Sequence, residues 1–178
     1  MKTALVYGST TGSTRAAAQS IAAQLGREVI HDVIDIGVAG PMALEGYDLL
    51  LVGASTWHIG ELQHDWADAE GALAGLDLRG TRIALFGLGD QAEYGETFLD
   101  AMGLLYDRLT ERGALGGFGF WPTDGYEFTA SRALRDDRFC GLALDDDNQR
   151  GRTPDRIRAW CRQITAELEL AAPLRRAG

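Results

Sequence analysis

Apolar residues occur along the chain in short runs separated by longer mixed segments. The runs are almost continuously apolar, which is typical of strands buried on both faces of a parallel sheet. They cover residues 3–7, 29–36, 49–54 and 82–87, with two half-runs at 115–121 and 139–144. The pattern predicts an α/β fold, in which five parallel strands form a doubly wound sheet with helices on both faces.

Helical periodicity is clearest in two segments. Residues 14–25 are rich in alanine and place apolar positions at i, i+3, i+4 and i+7, and Gly26 fits the end of that helix. Pro154 stands where a helix favours proline, at its first position, and an amphipathic pattern follows it. Residues 66–76 and 97–112 are long enough to form crossover helices between the strands.

The fifth strand is interrupted. Residues 122–138 are polar and turn-rich and separate two apolar halves, so we interpret them as an insertion. No linker, low-complexity segment or internal repeat divides the chain. We therefore expect a single domain over residues 1–172 and a loose tail over residues 173–178.

The composition of the chain argues against several classes of function. The 178-residue chain is 46% apolar, enough for a sizeable core, and its 17 basic and 26 acidic side chains give a net charge of −9. This charge repels nucleic acids and anionic membranes and favours basic protein partners. Lys2 is the only lysine, so the interior offers neither a Schiff-base lysine nor the lysine of a nucleoside-triphosphate loop.

The cysteine content and the N-terminal sequence indicate the compartment. Cys140 and Cys161 are too few for a disulfide framework and lack metal-ligand spacing, which predicts a reducing environment and no metal site. The first residues lead directly into a strand pattern without a signal-peptide core, and no apolar stretch approaches the roughly 18 residues of a membrane span. These features predict a soluble cytoplasmic protein.

The loop after the first strand is rich in hydroxyl groups. It lies between a strand and a helix N-terminus, where backbone N–H groups point outward, and it reads Gly8-Ser9-Thr10-Thr11-Gly12-Ser13-Thr14. Such a loop can bind a phosphate, although a ligand-free helix cap uses the same residue types. It has neither the Gly-Lys-Ser/Thr ending of a nucleoside-triphosphate loop nor the Gly-x-Gly-x-x-Gly of a first dinucleotide turn.

Aromatic side chains follow the third and fourth strands. The third loop contains Trp57, which can stack on a planar ligand or fold back under the loop. Its neighbour His58 can be a proton donor, a metal ligand or a plain polar residue. The fourth loop contains Tyr94, which can cover the other face of the same ligand.

The fourth loop also has Gly87, Gly89 and Ala92 in the spacing Gly-x-Gly-x-x-Ala. A dinucleotide site is weakly supported, because that motif belongs on the first βα turn and Asp107, where an acidic partner is expected, falls in a predicted helix. Glycines here can instead bring backbone groups to the polar edge of a flat heterocycle. The three loops together predict a pocket for a planar ring linked to a phosphate, which is the shape of FMN.

With these motifs, the chain resembles the long-chain flavodoxins over nearly its whole length. The matching blocks are residues 8–14, Trp57-His-Ile-Gly-Glu-Leu62, Phe86-Gly-Leu-Gly-Asp-Gln91 with Tyr94, Trp121-Pro-Thr-Asp-Gly-Tyr-Glu-Phe128 and Gly141-Leu-Ala-Leu-Asp-Asp-Asp-Asn-Gln149. The last two blocks belong to the fifth strand, whose insertion separates long-chain from short-chain members. The resemblance implies the strand order 2-1-3-4-5 that the family has.

The resemblance also implies a site for non-covalently bound FMN. The phosphate would be bound by Ser9, Thr10, Thr11, Gly12, Ser13 and Thr14. Trp57 and Tyr94 would sandwich the ring, and Asp146 would lie near the ribityl chain. The other residues around the ring would be Ser55, Thr56, His58, Ile59, Gly60, Gly87, Leu88, Gly89 and Asp90.

Two positions depart from several members of the family. His58 stands where they often have Gly or Asn, beside the peptide expected to hydrogen-bond N5 of the reduced ring. A side chain there makes a positive φ more costly than it is for glycine. Leu99 occupies a place where some members have a polar contact to the ring.

The implied function is that of a low-potential one-electron carrier, a monomer with no catalytic residue of its own. Its partners would be basic redox proteins, such as a ferredoxin- or flavodoxin-NADP reductase, pyruvate oxidoreductase or nitrogenase reductase. Acidic residues near the ring, namely Glu61, Asp90, Glu93 and Asp146, would destabilise an anionic reduced ring. One alternative is an FMN-dependent NAD(P)H:quinone reductase, which aromatics on both ring faces would obstruct, and the other is a cofactor-free binding module.

Overall fold

The structure, a computed structural model, describes residues 1–171, which form ten strands and five α-helices. The strands are β1 (Thr3–Tyr7), β2 (Asp32–Asp35), β3 (Leu49–Trp57), β4 (Glu61–Leu62), β5 (Arg82–Leu88), β6 (Leu115–Phe118), β7 (Trp121–Pro122), β8 (Leu134–Arg135), β9 (Arg138–Phe139) and β10 (Gly141–Leu144). The helices are α1 (Ser13–Leu25), α2 (Ile36–Ala39), α3 (His64–Leu73), α4 (Asp100–Glu111) and α5 (Thr153–Ala171). The tail expected at residues 173–178 lies outside the described residues.

The central sheet has the strand order β2-β1-β3-β5-β10, and these strands are parallel. This is the order 2-1-3-4-5, so the expected doubly wound topology is confirmed. The short strand β4 adds an antiparallel partner to the end of β3. Since the direction of winding reverses between β1 and β3, the loops that follow these strands diverge and leave a crevice at the carboxyl edge of the sheet.

The fifth strand consists of two pieces, β6 and β10. β6 pairs with the first half of β5 and β10 with the second half, which confirms the interruption. Between them, β7, β9 and β8 form a separate three-stranded antiparallel sheet. The interruption, residues 119–140, is wider than the predicted 122–138, because Phe120, Trp121 and Phe139 pack against the core instead of pairing in the main sheet.

Apolar side chains cover both faces of the sheet. Successive residues of β1 alternate between the layers, so that Ala4 packs on the side of α3 and α4 and Leu5 on the side of α1 and α5. Each layer holds one fully buried tryptophan, Trp66 in the first and Trp160 in the second. Their indole N–H groups donate to backbone carbonyl oxygens at 2.9 and 2.8 Å, so burial leaves no indole donor unpaired.

The prediction for β2 was too long. The apolar pattern extended it over residues 29–36, whereas the strand is Asp32–Asp35. The N–H groups of Val29 and Ile30 donate to the carbonyl oxygen of Gly26, at 3.2 and 2.9 Å, and so belong to the turn that ends α1. An apolar run does not distinguish a buried turn from a buried strand.

Candidate functional site

A cavity of about 400 Å³ opens where the loops after β1, β3, β5 and β10 meet. It is lined by Thr11, Ser13, Ser55, Thr56, Trp57, His58, Leu88, Gly89, Asp90, Tyr94, Thr97, Phe98, Leu99, Asp146, Asp147 and Arg150. The predicted site residues outside this lining are Ser9, Thr10, Gly12, Thr14, Ile59, Gly60 and Gly87. Each of the three predicted loops therefore contributes residues to a single crevice.

The hydroxyl-rich loop leads into the N-terminus of α1. Gly12 occupies the N-cap position with φ at 97° and, as a glycine, provides no side-chain hydrogen bond to the helix. The first turn contains no acidic residue, so the positive end of a 13-residue helix faces Thr11 and Ser13 at the cavity. Such a helix end binds anions through its N–H groups and its dipole.

The remaining residues of this loop determine its shape. The Ser9 hydroxyl oxygen accepts the N–H groups of Gly12 at 3.2 Å and of Arg15 at 3.3 Å. Thr14 is buried beneath the loop with 1% of its surface exposed. Thr10 is exposed, and its hydroxyl oxygen accepts a hydrogen bond from the fully buried Gln63 at 2.8 Å.

Trp57 ends β3 at the rim of the cavity. Its indole N–H donates to the Ser55 hydroxyl at 2.9 Å. The rings of His58 and His64 approach it edge-on, with centroid distances of 6.0 and 5.1 Å. His58 has φ at 46°, so the backbone next to Trp57 already adopts the left-handed region without a glycine.

The loop after Trp57 rests on the start of α4. The N–H of Ala101 donates to the Thr56 hydroxyl at 3.2 Å, and a side chain at Gly60 would meet the Asp100 carboxylate. Burial raises the pKa of Asp100, and the N–H and charge of Arg132 oppose that shift. Arg132 belongs to the insertion, so the insertion contacts the loop beside the cavity through the first turn of α4.

Asp90 organises the loop after β5. Its carboxylate accepts the N–H groups of Ala92 at 2.9 Å and Glu93 at 3.0 Å, and the side-chain amide of Asn148 at 2.7 Å. Burial alone raises the pKa of Asp90, but these donors outweigh burial and the net pKa lies below its ordinary value. The turn presents Tyr94 at the cavity with 42% of its surface exposed.

Asp145 joins the segments on this side of the cavity and was not found by sequence reasoning. It is fully buried and accepts the backbone and side-chain N–H groups of Gln91, at 3.2 and 2.6 Å, and the N–H of Asn148 at 2.9 Å. The side-chain oxygen Oε1 of Gln91 in turn accepts the N–H of Glu127, in the insertion, at 2.6 Å. The aspartate run was visible in the sequence, but its partner Gln91 is more than fifty residues away.

Beyond Asp145, the run places two more carboxylates and one cation at the cavity. Asp146 accepts the Thr153 hydroxyl at 2.5 Å. Burial raises the pKa of Asp147, and the charges of its acidic neighbours raise it further. Arg150 lines the same wall, a cation that the loop sequences did not predict.

The arrangement fits an elongated ligand with an anionic end and a planar end. The N-terminus of α1 supplies donors for a phosphate, and Trp57 and Tyr94 supply aromatic faces. Gly89 lines the same cavity. These are the groups that FMN requires. Within the described residues, no group of three or more potential ligands could hold a metal ion, and no helix is long and apolar enough to cross a bilayer.

Comparisons with known proteins agree with this architecture. A family model described as Flavodoxin matches residues 5–160. The chain is 47% identical to "Flavodoxin 1" of Salmonella typhimurium over 169 residues, which cover 94% of this chain and 95% of that protein. It is 41% identical to "Flavodoxin" of Synechococcus elongatus, with 95% and 99% covered.

Solved structures give the same result. The flavodoxin of Fusobacterium nucleatum bound to flavin mononucleotide superposes with a TM-score of 0.84 at 30% identity, and the match covers 94% of this chain and 99% of that one. Oxidised Flavodoxin 2 from Bacillus cereus superposes with a TM-score of 0.68 at 24% identity, with 94% and 99% covered, which supports the fold alone.

Proposed function

Since this chain belongs to the flavodoxin family, and is therefore an FMN-dependent electron carrier rather than an enzyme, we propose that FMN binds in the cavity and is held there at low potential. One observation carries the proposal. A single crevice combines the N-terminus of α1, which has a glycine at its N-cap, with the aromatic side chains of Trp57 and Tyr94.

We place the phosphate at residues 9–14 and the ring between Trp57 and Tyr94. The backbone of residues 56–60 and 87–90 meets the polar edge of the ring, and Asp146 lies beside the ribityl chain. The placement is supported by the chemistry of each end: neutral donors at a helix N-terminus suit a phosphate, and indole and phenol faces suit a flat heterocycle.

FMN supplies the one-electron chemistry when bound, and the protein sets its potential. The aromatic side chains exclude water from the ring. Asp90, Asp146 and Asp147 place negative charge on the same wall, which disfavours any further negative charge in the cavity. Arg150 offsets part of that field. We therefore assign the low potential to exclusion of water together with a net acidic wall.

The partners are proposed to be basic redox proteins. Ile59 and Tyr94 are 80% and 42% exposed beside the cavity, and Glu61 and Glu93 are exposed nearby. Exposed apolar side chains with acidic residues close by in the sequence suit a basic docking face. Ferredoxin- or flavodoxin-NADP reductase, pyruvate oxidoreductase and nitrogenase reductase are the candidates. The buried, free Cys140 and Cys161 fit a monomer working in the reducing cytoplasm.

An anaerobic reductive titration tests the proposal. The purified protein, loaded with FMN, is titrated with dithionite while flavin absorbance is recorded. We expect two separate one-electron steps, the second at low potential. A single two-electron step, or oxidation of NADPH without any added reductase, would instead indicate a hydride-transferring quinone reductase.

A further inference from the structure

Behind the hydroxyl-rich loop lies a fully buried glutamine, Gln63, at the residue that precedes α3. Its side chain does not cap that helix. Its amide nitrogen donates instead to the Thr10 hydroxyl and to the Asp65 carboxylate, both at 2.8 Å. The fully buried Gln63 side chain therefore hydrogen-bonds the loop that follows β1 and the first turn of α3.

Asp65 extends the contact to the backbone of the same loop. The carboxylate oxygen that accepts from Gln63 also accepts the N–H of Ser9 at 3.1 Å. Asp65 lies in the first turn of α3, where the helix dipole stabilises its charge. The Ser9 hydroxyl then accepts the N–H groups of Gly12 and Arg15, so the hydrogen bonds run from α3 through the loop to the start of α1.

The hydrogen bonds of the Gln63 amide determine how the Thr10 hydroxyl is oriented. Both amide hydrogens of Gln63 have partners, and one of them occupies the Thr10 oxygen as acceptor. The Thr10 hydroxyl must direct its own hydrogen away from Gln63, and this residue is exposed. A phosphate only accepts hydrogen bonds, so the glutamine holds Thr10 in the orientation that a phosphate needs.

The Gln63 amide keeps this orientation at a cost and in a tightly packed space. The Gln63 carbonyl oxygen is buried without a partner, which is unfavourable for an amide. Gly8 lies so close to that oxygen and to Trp66 that a Cβ there would collide with both. The packing therefore accommodates a Gln63 side chain whose amide nitrogen donates two hydrogen bonds and whose amide oxygen accepts none.

We propose that Gln63 and Asp65 are positioning residues for the phosphate of FMN, which they serve by orienting the Thr10 hydroxyl and the Ser9 backbone. The inference rests on the proposed placement of the phosphate at residues 9–14. That loop contains no lysine, so its affinity depends on neutral donors, and neutral donors bind well only when they are already in place.

The test compares two flavins that differ only in the phosphate. The full-length apoprotein is titrated with FMN and with riboflavin, and quenching of flavin fluorescence gives each Kd. Gln63→Met removes the donor and keeps an unbranched side chain of similar length. We expect its Kd for FMN to rise about tenfold, the value of one hydrogen bond to a charged network, and its Kd for riboflavin to change less than about twofold.

Asp65 provides a matched pair of variants. Asp65→Asn keeps an acceptor for Ser9 but removes a negative charge near the phosphate, so FMN should bind at least as tightly as in the parent protein. Asp65→Ala removes the acceptor and should weaken FMN several-fold while riboflavin binding is unchanged. Thr10→Val should abolish most of the effect of Gln63→Met, because both act on one hydrogen bond.

Equal losses for FMN and riboflavin in Gln63→Met and Asp65→Ala would overturn the inference, because they would reflect general damage to the fold. So would additive effects of Thr10→Val and Gln63→Met. If Gln63→Met does not fold, the Kd values of Asp65→Asn and Asp65→Ala for FMN and riboflavin test the inference in the same way. Parent protein that binds riboflavin as tightly as FMN would contradict the phosphate placement itself, and inorganic phosphate would then fail to raise the Tm of the apoprotein.

Discussion

The two ends of the cavity are built differently. The phosphate end comes from one contiguous loop, residues 8–14, and uses neutral hydroxyl and N–H groups at a helix N-terminus. The ring end is assembled from residues 55–58, 88–99 and 146–150, and its far wall carries several carboxylates. The groups proposed to bind the phosphate therefore come from one segment, which Gln63 and Asp65 hold from α3, whereas the ring end is itself assembled from several distant segments.

The difference divides the tasks of the site. A helix N-terminus favours the permanent negative charge of a phosphate, whereas an acidic wall disfavours new negative charge in the cavity. Binding energy should therefore come from both ends, and control of the potential from the ring end. The separation also predicts that variants at the ring end affect stability more strongly, because more long-range contacts depend on them.

The largest effect should follow from Asp145→Ala. It leaves two buried donors of Gln91 and one of Asn148 without an acceptor, so we expect a loss of about 3 kcal/mol in the free energy of unfolding. Urea unfolding of the apoprotein measures it. Thr11→Ala at the phosphate end is the matched control and should stay within about 0.5 kcal/mol of the parent. Similar values for both variants would contradict the greater dependence of the ring end on long-range contacts.

Trp57→Ala should have the next largest effect, on binding. Loss of a stacking face costs about 1–3 kcal/mol per aromatic, so Kd should rise by one to two orders of magnitude for FMN and for riboflavin alike. Tyr94→Ala should cost less, because the tyrosine is more exposed. Ser13→Ala should weaken FMN only. Fluorescence titrations with both flavins measure these values, and an effect of Trp57→Ala restricted to FMN would disprove the placement of the ring.

Neighbouring carboxylates at the ring end should respond to pH in opposite ways. The pKa of Asp90 is lowered by folding, so its stabilisation is present above its unfolded pKa and is lost as pH falls through the folded pKa. The pKa of Asp147 is raised by folding, so its destabilisation is present at neutral pH and disappears in acid.

Asp90→Asn should therefore destabilise the protein at pH 7, and Asp147→Asn should stabilise it. Both effects should be below about 1 kcal/mol, because solvent screens half-exposed groups. Urea unfolding between pH 7 and pH 3, at low and high salt, measures both. Effects of the same sign at pH 7 would show that the acidic wall acts through its net charge and not through these individual contacts.

The two ends also differ in how much the sequence revealed. The hydroxyl loop was recognised because its residues are adjacent and the helix start follows at once. Gln63 and Asp145 were missed, because their roles depend on partners 53 and 54 residues away. The insertion was located by its polar composition, but its three-stranded sheet was not predicted, since strands of two residues leave no alternation to detect.

The smallest effect concerns the turns at the two ends. Both use a left-handed residue, but the phosphate end has Gly12 at φ 97° and the ring end has His58 at φ 46°. A side chain with a Cβ is strained there, and asparagine is strained less than histidine. We expect His58→Asn to raise the free energy of unfolding only slightly, by a small part of the roughly 1–2 kcal/mol that the left-handed region costs an ordinary residue.

His58→Gly should gain no more than His58→Asn, because glycine relieves the strain but loses about 0.5–1 kcal/mol of backbone entropy on folding. Thermal unfolding of the apoprotein measures both, with Gly12→Ala as the reverse control that should destabilise. If neither variant is more stable than the parent, the edge contact of His58 with Trp57 offsets the strain. In that case the histidine supports the ring end, and its backbone strain accompanies a stabilising contact that glycine at the phosphate end does not make.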